Sequence, residues 1–331
     1  MIAANLRSRA PGCASTSTEP APRSLDPGCA STSQFIDNSP DARHGAPTQA
    51  AHGLLEGSLA RWAYDYVTAA TLSYKLSPPS LPVVRVPEGV LAPAEPADAC
   101  PAPLRLSAPG RPPELAVTWH KYKAPRSAEA LRDPKKRAHL LHTFLHHELQ
   151  AAELMCWACL AFPETPLSFR RGLLNICLDE VRHMKMYAAH IEQLGYRVGA
   201  FPVRDWFWQR TPAARSPAEF VAVMGLGFEA GNLDHSARYV QLFAAAGDHP
   251  AAALQATVGH EELAHVAFAA HWFSSFAGPL DFTRWLSQLP APLSPMVMRG
   301  RPLARAARSL AGMDDRFLDE LDAWQPVSPG C

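Results

Sequence analysis

Glu180 and His183 stand three residues apart in "DEVRH", and Glu262 and His265 repeat that spacing in "HEELAH". Residues three apart on an α-helix are neighbours on one face, so each pair can offer a carboxylate and an imidazole to the same partner. Both strings lie in apolar surroundings, "RGLLNICLDEVRHMKMYAAHIEQLG" and "GHEELAHVAFAAHWF". A carboxylate taken out of water without a partner costs several kcal/mol, so glutamates on core-facing stripes demand cations. Glu261 also precedes His265, at four residues; the repeated spacing of three favours Glu262. His260 and His265 are five apart and cannot share a helix face, which sets aside the two-histidine zinc motif of metalloproteases.

The elements that must hold these residues are four long periodic segments, at about 134–162, 167–195, 217–246 and 250–276. Asp133-Pro134, Thr165-Pro166 and Ser216-Pro217 each offer a capping oxygen followed by a proline at the first helical position, where its missing N–H costs nothing. Asp248 and Pro250 do nearly the same. "PETP" and "AAGDHP" are short links that force antiparallel neighbours, and "YRVGAFPVRDWFWQRTP" is a longer crossover between the two hairpins. The expected fold is therefore all-α, a four-helix bundle with accessory segments before and after it.

Each helix carries one core stripe. The second reads Leu173, Ile176, Glu180, His183, Tyr187, His190, Leu194; the fourth reads Val258, Glu262, His265, Ala269, Trp272. The first gives Leu141, Leu145, Glu148, Ala152, Met155, Cys159, and the third Ala222, Gly225, Glu229, Asn232, Ser236. Every stripe contains one glutamate. The midpoint of Glu148 and Glu180 falls at residue 164, inside "PETP", and that of Glu229 and Glu262 falls inside the "AAAGD" turn, which brings all four to one level. One glutamate from each of two helices plus a Glu-x-x-His from each of the other two is the ligand set of ferritin-like di-iron or di-manganese carboxylate bundles. Oxygen-rich ligation with two imidazoles suits iron, with manganese admissible at one position, whereas structural zinc would want thiolates. Glu153 competes with Glu148 but lies off the stripe. His139, His142 and His146 share a face away from it and read as surface or satisfied histidines. Cys156 and Cys159 form a Cys-x-x-Cys inside a helix and read as core packing.

Composition narrows the function classes. The 331 residues carry 31 basic and 31 acidic side chains, 47% are hydrophobic and 32 are proline. Zero formal charge supplies no long-range field for nucleic acid or an anionic membrane. The start "MIAANLRSRAPG" lacks a signal-like apolar stretch, and no run approaches the roughly 20 apolar residues of a membrane span. The expectation is a cytoplasmic protein acting on a small molecule, with no nucleic-acid or membrane partner. Residues 1–52, where "PGCASTS" occurs twice, read as a disordered low-complexity tail. Residues 53–133 hold a helix over "LLEGSLARWAYDYVTAATLSYKL" and a proline-rich wrap, 134–276 the bundle, and 277–331 a covering segment.

"FLHHELQAAELMCWA", "DEVRHMKMYAAHIEQLG", "FPVRDWFWQR", "FEAGNLDHSARY" and "GHEELAHVAFAAHWF" resemble the ferritin-like family catalogued as domain-of-unknown-function family 455, and at longer range the tRNA-hydroxylating and rubrerythrin-like branches. The resemblance runs from about Ser58 to about Arg305. It implies a di-iron bundle with Glu148, Glu180, His183, Glu229, Glu262 and His265 as metal ligands. By analogy with di-iron oxygenases that share a "DExRH" string, it further implies that Asp179 accepts the free N–H of His265 and Glu261 that of His183, with Arg182 offsetting their charge. Tyr187, next on the same stripe, belongs to the surroundings of the ligands.

The expected activity is oxygen-dependent oxidation or hydroxylation of an organic substrate by two iron ions, with dioxygen, a small organic substrate and an electron donor as partners. A ferroxidase or iron-handling protein is the first alternative, and a tRNA-modifying hydroxylase-like enzyme the second. Trp206, Phe207 and Trp208 in the crossover are expected to enclose an organic pocket. Arg299, Arg301, Arg305 and Arg308 either cover the site and receive an anionic group or form a solvated surface.

Overall fold

A computed structural model of the chain describes residues 53–82 and 102–326. The expectation for the tail 1–52 and for most of the wrap between residues 83 and 101 lies outside the described residues. Helix α1 spans Leu59–Thr68 and α2 spans Leu72–Leu76. A single helix was expected here, but the chain breaks after Thr68. Lys75, fully buried, turns back so that its Nζ donates to the carbonyls of Tyr66 at 2.6 Å and Val67 at 3.0 Å, satisfying the open end of α1. A short helix, α3 (Ala128–Leu131), leads into α4 (Pro134–Ala161), which Asp133 caps by accepting from the Lys135 N–H at 2.9 Å. α5 follows at Leu167–Gln193. The cap expected of Thr165 does not form: its hydroxyl donates to the Phe162 carbonyl at 2.7 Å, and Pro166 itself stands at the cap position.

The third bundle helix departs most from expectation. α6 (Pro217–Val223), capped by Ser216, widens into a π-helical segment, Met224–Glu229, before continuing as α7 (Ala230–Ala246). The segment reads "MGLGFE", and its two glycines weaken the ordinary helix while admitting close neighbours. A Cβ on Gly225 would lie 2.1 Å from the Cβ of Ala269, and one on Gly227 would lie 2.5 Å from the sulfur of Met298. Gly247, at φ +86°, ends α7, and Asp248 caps α8 (His249–Ala277) by accepting from the Ala251 N–H at 3.0 Å. α4 with α5 and α7 with α8 form the two antiparallel hairpins of an all-α bundle, joined along the α5–α8 seam. No helix among the described residues is long and apolar enough to cross a membrane.

Accessory segments lock this bundle from outside. The Leu104 N–H donates to the Leu160 carbonyl at 2.8 Å, Trp157 Nε1 to the Leu106 carbonyl at 3.1 Å, and the Gly110 N–H to the Val67 carbonyl at 2.8 Å. Glu153, fully buried, receives Lys75 at 2.9 Å, Arg111, and Trp208 Nε1 at 2.8 Å. It thereby ties α2, the wrap and the crossover to α4. Residues 278–326 cover α6, the π segment, α7 and α8. They include α9 (Phe282–Ser287), α10 (Arg305–Leu310) and α11 (Asp315–Ala323). Trp285 Nε1 donates to the Ala222 carbonyl at 3.0 Å, next to the start of the π segment.

Asp234 on α7 is the anchor of this cover. It accepts from the Gly300 N–H at 2.8 Å, the Ala304 N–H at 2.7 Å, and both Nε and Nη2 of Arg308 at 3.0 and 2.7 Å. Asp234 and Arg308 are both excluded from solvent at their side chains. Arg299 donates to the carbonyls of Asp322 at 2.8 Å and Trp324 at 2.9 Å. Neither reading of the arginine-rich segment holds for Arg299 and Arg308: both are internal ties of the cover. Removing one partner of a buried forked pair typically costs about 3–5 kcal/mol. Arg308→Met is expected to lower stability by about that amount, and Arg305→Met, at a partly exposed pair, by under about 1 kcal/mol; urea denaturation followed by circular dichroism measures both.

Candidate metal centre

The four long helices bring Glu148, Glu180, His183, Glu229, Glu262 and His265 together at one level. All six are buried, with Glu180, His183 and Glu262 at 0% exposure. Glu148, Glu180, His183 and Glu262 each place a ligand-capable atom within 4.8 Å of the others. His183 Nδ1 lies 3.2 Å from Glu180 Oε2 and 3.7 Å from Glu262 Oε1. His265 Nδ1 lies 3.0 Å from Glu262 Oε2 and 3.1 Å from Glu180 Oε1. Both imidazoles thus turn Nδ1 inward, and Glu180 and Glu262 each approach both rings. Glu148 packs against Glu180 and Glu229 against Glu262. Glu229 Oε1 is buried and has no hydrogen-bond partner.

The outward nitrogens find the acids named from the sequence. His183 Nε2 donates to Glu261 Oε2 at 2.7 Å, and His265 Nε2 to Asp179 Oδ2 at a longer 3.3 Å. Each acid belongs to the opposite helix, so α5 and α8 are cross-linked twice in the same pattern. Arg182 lies between them, with Nη1 donating to Glu261 and Nη2 to Asp179 at 2.9 Å. The side chains of Arg182 and Asp179 are 46% and 43% exposed. This layer reaches solvent, while the two imidazoles behind it are buried.

Electrostatics define what the cluster lacks. Burial, with Glu180 beside it, raises the Glu148 carboxyl well above its ordinary range, and burial with Glu262 does the same to Glu229. Burial alone would raise Glu180 too, but the hydrogen bonds of His183 and His265 hold it far below the usual carboxylate range. Burial opposes the charge on His183, yet Glu180 and Glu262 outweigh it and push the imidazolium up to about 9. His265 is raised well above its ordinary value against the same penalty, chiefly by Glu262 and Asp179. Protons on the imidazoles and on two carboxyls therefore balance the charge. A cation can take their place, and the donor set of four carboxylates and two Nδ1 atoms can hold a metal.

Tyr187 sits farther out than a ligand neighbour. Its hydroxyl donates to Gln255 Oε1 at 3.0 Å, Gln255 Nε2 to Ser236 Oγ at 2.8 Å, Ser236 Oγ to Asn232 Oδ1 at 3.4 Å, and Asn232 Nδ2 to Glu262 Oε1 at 3.3 Å. Asn232 and Ser236 were visible on the third stripe. Gln255 was missed, although it extends the stripe of Val258, Glu262 and His265 backward by three residues.

Other candidates fall away from the centre. Glu153 is committed to Lys75 and Arg111. His142 and His146 are buried and satisfied, the second of the two readings: His142 Nε2 accepts the Gly199 N–H at 2.7 Å, and His146 Nε2 pairs with Asp205 at 2.8 Å. His139 stacks on Phe201 and Tyr122. These rings hold the crossover and the segment before α3. Cys156, Cys159 and Cys177 are buried, as core packing requires. Trp206 and Phe207 pack on Phe228 of the π segment, and Trp208 on Glu153. They do not line the small cavity beside the cluster, whose walls include Ile176, Phe220, Val221 and Ala269.

The family described as "Protein of unknown function (DUF455)" matches residues 80–319. No curated protein and no solved structure matches the chain.

Coordination through Nδ1 requires His183 to give up the proton it holds up to about 9. Metal affinity is therefore expected to rise between pH 6 and pH 9, with proton release on binding that shrinks toward the upper end. Calorimetric titration in buffers of different ionisation enthalpy counts those protons. An affinity indifferent to pH over that window would contradict protonated imidazoles in the metal-free centre.

Proposed function

The chain belongs to the DUF455 family, and since that description assigns no reaction, we propose from the side chains themselves that this is a two-metal carboxylate protein that activates dioxygen to oxidise an organic substrate. The observation that carries the reading is the doubled Glu-x-x-His arrangement, with Nδ1 of both imidazoles turned into four converging carboxylates and Nε2 of both held by acids of the opposite helix. Hard oxygen donors with two imidazoles suit iron, with manganese admissible at one position. No cysteine belongs to the metal-capable group among the described residues, which argues against structural zinc. Glu180 and Glu262, close to both imidazoles, together with Glu148, His183, Glu229 and His265, would hold the metal. A pair of iron(II) ions held there would supply two electrons to dioxygen.

The chain's own contribution is orientation and exclusion of water. Glu261 and Asp179 hold the Nε2 protons, which leaves Nδ1 of each ring as the free donor and fixes its direction. Arg182 offsets the charge of both acids, so they accept from the histidines without adding to the repulsion within the cluster. The Asn232 amide holds Glu262 in place from the other side.

One observation favours a second reading, iron handling. The cavity beside the cluster measures about 10 Å³, room for about one water-sized molecule and not for an organic substrate. The two readings differ in where electrons come from. A substrate oxidase loaded with iron(II) is expected to take up about one dioxygen per two-metal site and then stop without a reductant. Measured with an oxygen electrode under stepwise iron(II) addition, undiminished turnover of excess iron would establish the second reading.

A further inference from the structure

The cysteines pair differently in space than in sequence. In the Cys-x-x-Cys of α4 the two thiols turn to different partners: Cys159 Sγ donates to the Arg170 carbonyl at 3.4 Å, while the Cys156 thiol donates across the α4–α5 hairpin to Cys177 Sγ at 3.5 Å. Cys156 and Cys177 are both at 0% exposure, so together they form a dithiol closed off from solvent. The sulfurs of a disulfide stand about 2.05 Å apart, and closing this pair asks them to approach by about 1.5 Å.

The place of this pair in the bundle gives it a neighbour. Cys177 precedes Glu180 by three residues on α5, which puts it one helical turn from the glutamate–histidine centre. Tyr66 of α1, fully buried, adjoins both: burial raises its phenol well above the ordinary value, and the charges of Cys177, Cys156, Glu153 and Glu180 add to the rise. Burial and the adjoining Cys177 push the Cys156 thiol well above its ordinary value too. The pair therefore carries little thiolate at neutral pH and is a poor partner for exchange with soluble thiols and disulfides. Electrons can still leave it through packed protein toward an oxidised centre one turn away.

Resting on the two-metal reading, we propose that Cys156 and Cys177 are a redox site, an internal dithiol that closes to a disulfide when dioxygen is reduced at the centre with no organic substrate to oxidise. The oxidant is dioxygen, and the step balances with it. The two iron(II) ions give one electron each and the two thiols one each; both S–H bonds break and the S–S bond forms. Those four electrons, with two protons from the thiols and two from solvent, turn one dioxygen into two waters. Without the dithiol only the two metal electrons are at hand, and with two protons from solvent they carry dioxygen to hydrogen peroxide. The pair thus supplies the electrons that an absent substrate would have given, and its burial confines that role to oxygen reduced inside the protein.

Thiol counting on the full-length chain tests this. The protein is loaded with iron(II) without oxygen, given dioxygen in the absence of a reductant, then alkylated in denaturant and mapped by peptide mass spectrometry. The wild type is expected to lose the thiols of Cys156 and Cys177 to one mutual link, with Cys159 on the same helix still alkylated and almost no hydrogen peroxide released. The metal-free chain given the same dioxygen is expected to keep both thiols. Cys177→Ser is expected to bind the same iron, to keep Cys156 reduced, and to release close to one hydrogen peroxide per two-metal site; the wild-type thiol count decides the question even where this variant folds poorly. Free Cys156 and Cys177 in an iron-loaded wild type that has consumed its dioxygen would overturn the inference and leave the two-metal reading standing, as would a disulfide that forms equally in the metal-free chain. A wild type that takes up neither iron nor dioxygen would remove that reading and the inference with it.

Discussion

Four carboxylates buried at one level of a helix bundle repel one another, and the structure is organised around that repulsion. It is relieved by a raised affinity for protons at both imidazoles and at Glu148 and Glu229. Each relief has a geometric requirement. The imidazoles must present Nδ1 to the carboxylates, which requires an acceptor behind each Nε2, and Glu261 and Asp179 supply it from the facing helix. Those two acids would add to the problem if Arg182 did not lie between them. The register of α5 against α8 is therefore set by charge as well as by packing, since a shift of one turn would separate both histidines from both acids.

The outer layers serve the same end. The α6–π–α7 helix has to bring Glu229 to the level of Glu262 while passing within contact distance of Ala269 and Met298, and it does so by widening over six residues. The C-terminal segment presses on that widened turn and is itself held by the forked bond of Arg308 to Asp234. On the opposite side, Lys75 closes α1 and reaches Glu153, which fixes the accessory helices to α4.

Much of this was legible in the sequence because it follows from periodicity of three and four. The core stripes, the two Glu-x-x-His pairs, and the caps at Asp133, Ser216 and Asp248 are local patterns, and the structure contains them. The positions of Asp179 and Glu261 were reached through family resemblance. What stayed hidden depends on contacts distant in sequence. The π segment arises where α8 and Met298 crowd Gly225 and Gly227, and nothing in "MGLGFE" alone dictates it. The break after Thr68 depends on a lysine that a helical pattern would place outward. For His142 and His146 the choice between a surface and a satisfied histidine stayed open because their partners, Gly199 and Asp205, lie more than fifty residues away. Trp206 and Phe207 were expected to enclose a pocket; Phe207 stacks on Phe228 and Trp206 packs against the same ring at a tilt.

A comparison between two buried polar groups shows why one reads as a site and the other as a joint. Glu153 and Asp205 are as acidic as the central glutamates, but Glu153 has Lys75, Arg111 and Trp208, and Asp205 has Arg111 and His146. Every carboxylate oxygen of that network has a donor from the chain's own side chains. Among the described residues the central cluster has no lysine or arginine beyond Arg182, which stands on the solvent side of the histidines. Its acids are balanced by groups that can leave, protons, and Oε1 of Glu180 and Oε1 of Glu229 both lack a hydrogen-bond partner. A fold able to place Lys75 and Arg111 beside Glu153 could have placed cations beside Glu180 as well. That it leaves the charge of four glutamates to exchangeable partners is the strongest physical reason to regard the centre as built for ions that come from outside.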